Sequence, residues 1–316
     1  MAVLHFVIIL LVSPMLMAAS GKTFNIKENL FSVDFVDADN GWAVGFYGKM
    51  MHTADGGKTW AIQETNVSKL LANVDFVDAN NGWAVGYGPT ILNTKDGGKT
   101  WGAQKTTEQI FLSSVFFANA KKGWAVGELG TILYTEDGGN NWIKQFSSED
   151  AMLYQISFLD DSTGMAVGEF GTVLLTTDGG KQWLPSATGV ENVLFSCQVV
   201  DSRNLWASGI DSLVMHSRDG GVTWEKVDTG TGKVLPFIKI KFRDADNGII
   251  CSQSFTLTTS DGGKTWKEST FDNPDSKYMW FGDVAFTGGQ NVWLVGEHGR
   301  IFKSTNSGES WVETKY

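Results

Sequence analysis

Hydrophobic and polar residues alternate in short stretches that recur about every 41 residues. In the first stretch the apolar Val33 and Phe35 alternate with the polar Ser32 and Asp34, and similar stretches return near residues 74, 115, 156, 240 and 284. Alternation with a period of two is typical of a β-strand with one buried face. Because Gly- and Asp-rich turns separate these stretches, each repeat is predicted to contain several short antiparallel strands.

Two further motifs mark each repeat. Gly-Trp-Ala-Val-Gly occurs at 41–45, 82–86 and 123–127, and it is diverged in the other four repeats. Thr/Ser-x-Asp-Gly-Gly-x-Thr/Ser-Trp follows it and ends, allowing for a diverged last copy, at Trp60, Trp101, Trp142, Trp183, Trp224, Trp266 and Trp311. Four β-patterned stretches per repeat, at this period, predict an all-β protein, a seven-bladed β-propeller.

The blades are predicted at about 30–65, 71–106, 112–147, 153–187, 193–228, 236–270 and 280–316. Residues 22–28 resemble the outermost strand of a blade that lacks its other three strands. They are a candidate for pairing with the edge of blade 7, which would remove an exposed sheet edge. The pattern leaves open whether they replace or supplement the strand that contains Trp311.

Residues 1–20 precede the repeats. Residues 3–12 are almost wholly apolar, and Pro14 and the small residues Ala18, Ala19 and Ser20 follow them. This order is typical of a secretory signal peptide, so we expect export and cleavage near Ser20. An uncleaved membrane anchor or a misassigned start is the alternative, because no Lys or Arg precedes the apolar run. A lipid anchor is not expected, because no Cys follows that run.

The composition argues against several classes of function. The net charge is −10, and the chain has only four Arg, at 203, 218, 243 and 300. A nucleic-acid partner would require a basic face to neutralise phosphates, so none is expected. No Cys/His cluster has the spacing of metal ligands, so neither a metal site nor a cofactor is expected.

The second motif is the Asp-box of bacterial-neuraminidase-type repeats. Its carboxylate is predicted to accept backbone N–H groups within the hairpin between the third and fourth strands, and its Trp to be buried beside the neighbouring blade. The predicted structural carboxylates are Asp55, Asp96, Asp137, Asp178, Asp219 and Asp261. Catalysis would not require a copy in every blade, so a structural role is preferred to a catalytic or calcium-binding one.

The two faces of the disc are predicted to differ in function. In a four-stranded meander all Asp-box hairpins lie on one face, and the second-to-third-strand turns and the inter-blade crossovers lie on the other. A partner is one asymmetric object, so we expect it to bind the face where the copies differ. The predicted partner-binding residues are Tyr47, Tyr87, Glu128, Glu169, Phe170, Tyr278, Trp280, Glu297 and Arg300.

The innermost strands are predicted to surround a central channel. Their polar positions would line it, and the charged ones singled out are Asp34, Asp75, Lys239 and Lys241. A solvated channel wall without further function is the alternative interpretation.

The paired motifs GWAVG and T-x-DGG-x-TW, repeated behind a leader, resemble the photosystem II stability/assembly factor family over about 290 of the 316 residues. The resemblance implies a seven-bladed propeller in the periplasm or thylakoid lumen, without enzymatic activity. It also implies a protein partner, a membrane-protein complex or its precursor subunit. We expect the chain to act as a monomer.

An Asp-box glycoside hydrolase or carbohydrate-binding propeller is the alternative. A sialidase requires several Arg and an early Phe/Tyr-Arg-Ile-Pro motif, and the sequence has neither. Other glycosidases require two carboxylates at a suitable separation. Glu128 and Glu169 are on adjacent predicted blades, whereas Glu297 is on a distant one. Binding is therefore expected rather than catalysis.

Overall fold

The computed structural model describes residues 28–148 and 151–314. Seven small antiparallel sheets follow one another along this part of the chain. The first strand of each sheet packs against the first strand of the next, and the first strand of the last sheet packs against that of the first. This closed ring confirms the prediction of a seven-bladed β-propeller.

The first four blades each contain four consecutive strands. Blade 1 comprises β1 (Leu30–Phe35), β2 (Gly41–Gly45), β3 (Met50–Thr53) and β4 (Ala61–Ile62). Blade 2 comprises β5 (Leu71–Phe76), β6 (Gly82–Gly86), β7 (Thr90–Thr94) and β8 (Gly102–Ala103). Blade 3 comprises β9 (Leu112–Phe117), β10 (Gly123–Gly127), β11 (Ile132–Thr135) and β12 (Ile143–Phe146). Blade 4 comprises β13 (Leu153–Phe158), β14 (Gly164–Gly168), β15 (Val173–Thr176) and β16 (Leu184–Pro185).

The last three blades repeat this order, with one addition. Blade 5 comprises β17 (Leu194–Val199), β18 (Leu205–Gly209), β19 (Val214–Ser217) and β20 (Glu225–Lys226). Blade 6 comprises β21 (Phe237–Phe242), β22 (Gly248–Ser252), β23 (Thr256–Thr259) and β24 (Lys267–Glu268). Blade 7 comprises β26 (Phe281–Phe286), β27 (Val292–Gly296), β28 (Ile301–Ser304) and β29 (Ser310–Glu313), and β25 (Thr270–Phe271) is its fifth, outermost strand.

The first motif forms the second strand of each blade, which is buried along its whole length. A Cβ on Gly41 would lie 2.4 Å from the Phe35 ring, and a Cβ on Gly45 would lie 2.0 Å from the Asn29 carbonyl oxygen. Glycine is therefore required at both ends of this strand in blade 1. The Trp42 ring stacks on Phe76 of blade 2 at 3.6 Å, and its Nε1 donates to the Gly97 carbonyl of that blade at 3.2 Å. This Trp joins two blades.

An aromatic triad recurs at five of the seven junctions between blades. Phe76 lies face-to-face with Trp42 of the preceding blade and edge-to-face, at 5.8 Å, with the Asp-box Trp101 of its own blade. Such contacts add to the burial energy of the rings. The same arrangement joins the ends of the ring, because Phe35 of blade 1 stacks on Trp293 of blade 7 at 5.7 Å. The described chain thus closes with the contacts that join its interior blades.

The outer edge of blade 7 is paired by β25, which runs parallel to β29. Residues 22–27 of the proposed edge segment lie outside the described residues, as does the 1–20 leader. Glu28, the last residue of that segment, forms an ion pair with Lys49 at 3.0 Å. Among the described residues, no helix has the length and hydropathy required to cross a bilayer.

Candidate partner-binding site at the channel mouth

Backbone hydrogen bonds define the two faces of the disc. The Asp-box hairpin of blade 1 lies beside the turn between β1 and β2, because Gly56 N donates to Asp39 O at 3.0 Å. The turn between β6 and β7 lies beside the start of β5 instead, because Tyr87 N donates to Leu70 O at 3.0 Å. We call these the Asp-box face and the mouth face.

Within each Asp-box the carboxylate organises its own hairpin. Asp55 accepts hydrogen bonds from the Thr53 hydroxyl and from the Thr59 backbone N–H, both at 2.9 Å. The Thr59 hydroxyl also donates to this carboxylate, at 2.7 Å. This third bond contributes most, and together the bonds lower the pKa of Asp55 to about 2. In the seventh copy the amide oxygen of Asn306 takes the same place, accepting the Ser310 N–H at 3.0 Å.

A cavity opens on the mouth face at the centre of the ring, and we call it the mouth. Residues from the first strands and the crossovers of several blades give it a largely apolar wall. Its six aromatic residues are Phe31, Phe46, Phe111, Tyr154, Phe195 and Trp280. A concave apolar surface that is open to solvent is typical of a binding site.

The aromatic wall consists of packed groups of rings. Phe31 stacks on Trp280 at 5.3 Å and meets the edge of Phe46 at 4.8 Å. Across the mouth, Tyr154 and Phe195 are 5.5 Å apart in an edge-to-face contact. These contacts join blade 1 to blade 7 and blade 4 to blade 5, so the propeller itself holds the wall in place.

Exposed aromatic tips stand on the mouth face around the cavity. Tyr47 is 73% exposed and Phe170 is 66% exposed. Both have a φ near 57°, in the left-handed region, at the second position of the turn between the second and third strands. Tyr87 and Tyr278 are also exposed. These four residues lie where a partner on this face would contact them first.

Two of the predicted partner-binding residues, Trp280 and Arg300, are not exposed tips. Trp280 is only 4% exposed, because Phe31 covers its ring, so it belongs to the wall and not to an exposed tip. The Arg300 guanidinium forms an ion pair with Glu313 at 2.8 Å. Its charge is therefore already partnered within blade 7.

The three glutamates predicted for a contact surface have a structural role. Each glutamate begins a turn on the mouth face. Its carboxylate accepts the backbone N–H of the residue that immediately precedes the first strand of the same blade. Glu128 bonds Phe111 N at 2.8 Å, Glu169 bonds Met152 N at 3.0 Å, and Glu297 bonds Trp280 N at 3.4 Å. Because each carboxylate is hydrogen-bonded within its own blade, this arrangement gives no support to a catalytic carboxylate pair.

Below the mouth, a ring of polar side chains that we call the waist ties the blades together. The third residue of a first strand accepts the backbone N–H of the fourth residue in the next blade. Asn73 accepts from Val115 at 2.9 Å, and the Asp283 carboxylate accepts from Val33 at 3.2 Å to close the ring. The same bond is made by Ser32, Ser114, Gln155 and Ser196.

The charged residues Asp34, Asp75, Lys239 and Lys241 all border the channel. Lys239 lies at the level of the waist, and the other three lie below it. Asp34 accepts the Phe76 N–H at 2.8 Å, and Asp75 accepts the Phe117 N–H at 2.7 Å. Burial raises the pKa of Asp34, and burial together with the Asp34 charge raises the pKa of Asp75 further, although nearby lysine charge opposes both shifts. The two aspartates thus also join blades, which the sequence interpretation did not anticipate.

Sequence reasoning missed the centre of the mouth. Phe31, Tyr154 and Phe195 are the second residues of their first strands, a position at which the repeats have little in common. That lack of similarity was the available signal.

Across the described ranges, no group of three or more His, Cys, Asp or Glu side chains is arranged to hold a metal ion.

The family comparison matches almost the whole chain. A family model described as "Photosynthesis system II assembly factor YCF48" matches residues 18–69, 59–149, 144–236 and 232–316. Among curated proteins, the photosystem II assembly lipoprotein Ycf48 of Synechococcus sp. (strain CC9902) is 29% identical over 75 residues. That alignment spans 23% of this chain and 22% of the relative's length.

Solved structures share the fold. A YCF48 bound to D1 peptide matches with a TM-score of 0.74 at 21% identity, over 89% of this chain and 95% of its own. YCF48 from Cyanidioschyzon merolae matches with a TM-score of 0.70 at 21% identity, over 89% of this chain and 96% of its own. The GH74 xyloglucanase from Xanthomonas campestris also reaches 0.74, but at 11% identity and over 92% of this chain and 55% of its own.

Proposed function

Because the chain belongs to the photosystem II assembly factor YCF48 family, we propose that it is an exported, non-enzymatic assembly factor. It binds a precursor or newly made subunit of a membrane-protein complex through its mouth face. The observation that carries the proposal is the mouth, an apolar and largely aromatic cavity at the centre of the face where the blades differ.

The anatomy of the face supports a protein partner. Buried aromatic residues at the centre of a contact surface, surrounded by exposed tips and charges, resemble the core and rim of protein interfaces. Tyr47, Tyr87 and Tyr278 supply exposed rings beside the cavity. The Asp-box face offers nearly the same hairpin in every blade, so it provides less to distinguish one partner from another.

One solved relative was obtained with a D1 peptide. We propose that this chain likewise takes an extended segment of a D1-type subunit. The partner need not be charged to match the scaffold, because the mouth is mainly apolar. Such a segment would cover the aromatic wall and order its own main chain against the turns of the mouth face.

The test uses fluorescein-labelled peptides that tile the D1 subunit, with binding measured by fluorescence anisotropy. We expect overlapping peptides from one region to bind the wild-type protein. Changing Tyr47, Tyr87 and Tyr278 together to Ser should weaken binding at least about tenfold, because aromatic anchors contribute most of the energy at such sites. All three side chains are exposed, so the variant should remain folded.

A matched variant changes three exposed lysines of the Asp-box hairpins, Lys58, Lys99 and Lys181, to Ser. It should bind the same peptides as wild type does, with both variants shown to be folded by circular dichroism. Loss of binding in the lysine variant alone would mean that the peptide binds the Asp-box face, and this would contradict the proposal. Saturable binding of xyloglucan oligosaccharides, without binding of any D1 peptide, would favour the carbohydrate-binding alternative.

We also propose that the protein is exported to the periplasm or thylakoid lumen and acts there as a monomer. The apolar run at 3–12, followed by Ala18, Ala19 and Ser20, supports cleavage of the leader. Mass spectrometry of protein expressed with its leader should show a mature start near Gly21. An intact Met1 in the membrane fraction would contradict cleavage, and light scattering of the mature protein would test the monomer.

A further inference from the structure

Blade 6 departs from the other blades at the waist. In the remaining six, the third residue of the first strand accepts a backbone N–H from the next blade. A lysine ammonium is a donor only, so Lys239 cannot do this. Asp283 compensates by accepting the Val284 N–H of its own blade at 2.8 Å. Lys239 therefore does not make the hydrogen bond to the next blade that its counterparts make.

The position of Lys239 suits it for another task. Its side chain is 13% exposed and borders both the mouth and the channel. In the described part of the chain its ionic partner is Asp283, with Nζ 3.3 Å from Oδ1. The Asp283 carboxylate also accepts the Ser32 hydroxyl and the Val33 N–H. Because an ammonium carries three donors, Lys239 retains donor capacity at the floor of the mouth.

We propose that the mouth binds one bulky apolar side chain of an extended polypeptide segment and that Lys239 donates a hydrogen bond to a neutral backbone carbonyl of that segment. This inference rests on the proposed function and names the chemistry that the partner presents. The aromatic wall suits the apolar side chain, and the lysine lies where the wall gives way to the polar waist.

Charge selects the kind of acceptor. Lys239 and Asp283 together are neutral, and they lie in a partly desolvated site where an unbalanced charge is costly. A carbonyl oxygen adds an acceptor without adding charge. A carboxylate would introduce a second negative group next to Asp283, so the site should prefer the neutral acceptor. Hydrogen bonds that involve an ionised donor are also stronger than those between neutral groups.

The size of the mouth depends on small second residues in the first strands of three blades. In blade 7 this residue is Gly282, and the Trp280 ring lies against it. The second residue of the first strand is Ala72 in blade 2 and Ser113 in blade 3, where blades 1 and 5 have Phe31 and Phe195. Both small residues border the cavity, and Ala72 is half-buried. A phenylalanine at position 72 should therefore occupy the space that the incoming side chain requires, without removing any contact of the scaffold.

Small probes test the site independently of the natural partner. 1-Naphthylacetamide carries a bulky apolar group beside a neutral carbonyl, and 1-naphthylacetate carries a carboxylate instead. Ligand-observed NMR titrations would compare wild type with K239M, K241M and A72F, each checked by circular dichroism. We expect the amide to bind at least as tightly as the acetate. K239M should weaken the amide about tenfold, and A72F should abolish its binding.

K241M is the matched control, because Lys241 borders the channel but not the mouth. It should change amide binding less than about twofold. Equal losses in K239M and K241M, unchanged binding in K239M, or preference for the acetate would overturn the inference. If the amide binds as expected but no D1 peptide does, the partner in the proposed function is wrong and the site stands. If D1 peptides bind wild type and K239M equally, the inference fails and the proposed function stands.

Discussion

At the scale of single residues, five of the seven repeats have two motif tryptophans, and the two have different tasks. The Trp of the second strand, such as Trp124, is fully buried and donates its Nε1 to a glycine carbonyl of the next blade. The Asp-box Trp142 is 9% exposed, meets Phe117 edge-to-face at 5.9 Å and donates to the Gln104 side chain of the preceding blade at 3.2 Å. Both therefore join blades, in opposite directions around the ring.

Replacing Trp142 by Ala should lower the free energy of unfolding by about 3–5 kcal/mol, because a buried aromatic ring is lost and a cavity remains. Urea unfolding of the purified protein would measure this. The exposed Val222, on an Asp-box hairpin, is the control, and its change to Ala should cost less than about 0.5 kcal/mol. A loss below about 1 kcal/mol for the Trp142 variant would mean that the ring contributes little.

His216 gives stability a dependence on pH. It is buried, stacks on Trp206 at 3.7 Å and has a pKa lowered to about 4, chiefly by desolvation and also by the Arg218 charge. A histidine with a depressed pKa stabilises the fold fully above its unfolded pKa, near 6.5, and this stabilisation is lost as the pH falls towards 4. The sensitive window is therefore pH 6.5 to 4.

Replacing His216 by Asn, the residue that blade 2 has at the equivalent Asn93, should remove this dependence. Between pH 7 and pH 4.5, wild type should lose about 2–3 kcal/mol more unfolding free energy than the variant. Urea unfolding at the two pH values measures the difference. The aspartates titrate in both proteins and cancel in the comparison. Equal losses of unfolding free energy in the two proteins would show that the pKa of His216 is not lowered in the folded protein.

At the scale of elements, β25 is the strand that departs from the repeat. It follows β24 of blade 6 directly and pairs in parallel with β29 of blade 7, so it crosses the junction between the two blades. Phe271 in β25 stacks on Phe281 at 4.9 Å and meets the edge of Phe302 at 5.4 Å. This outer connection lies at the same junction where Lys239 interrupts the inner ring of hydrogen bonds.

Replacing Phe271 by Ala should detach β25 and lower the free energy of unfolding by roughly 2–3 kcal/mol, since the ring is only partly buried. Hydrogen exchange should become faster in residues 270–272 and 310–313 and remain unchanged in blade 3. The exposed Ile62 of β4 is the control, and its change to Ala should leave both measurements nearly unaltered. Uniformly faster exchange in all blades would instead indicate that β25 does not act locally.

The repeat made the elements predictable, because each copy satisfies the same local requirements. The Asp-box hairpins and the glycines that flank the second strand depend on contacts within or next to one blade. Trp280 could not be placed in this way, since its burial depends on Phe31, at the opposite end of the chain. The distinct position of Lys239 likewise could not be predicted from one repeat, because it is recognised only by comparing the waist hydrogen bonds of all the blades. The predicted face therefore contains the mouth, whereas the mouth's central residues were not foreseen.

At the scale of the whole molecule, closing the ring is a different task from building it. Inner hydrogen bonds between consecutive blades join residues about 42 apart, as between Val74 and Ser32. The bond from Ser32 to Asp283 joins residues 251 apart. Bringing distant segments together costs chain entropy before any contact is gained. The closing junction should therefore form late in folding, after interior blades have assembled on one another.

Two equivalent phenylalanines report on this order. Phe35 stacks on Trp293 across the closing junction, and Phe117 stacks on Trp83 between blades 2 and 3. Each also meets the Asp-box Trp of its own blade edge-to-face. In stopped-flow measurements, F35L should mainly accelerate unfolding, whereas F117L should also slow refolding, because only its contacts are present in the transition state. The ring would then separate first at blades 1 and 7, making that pair the place where the native molecule begins to come apart.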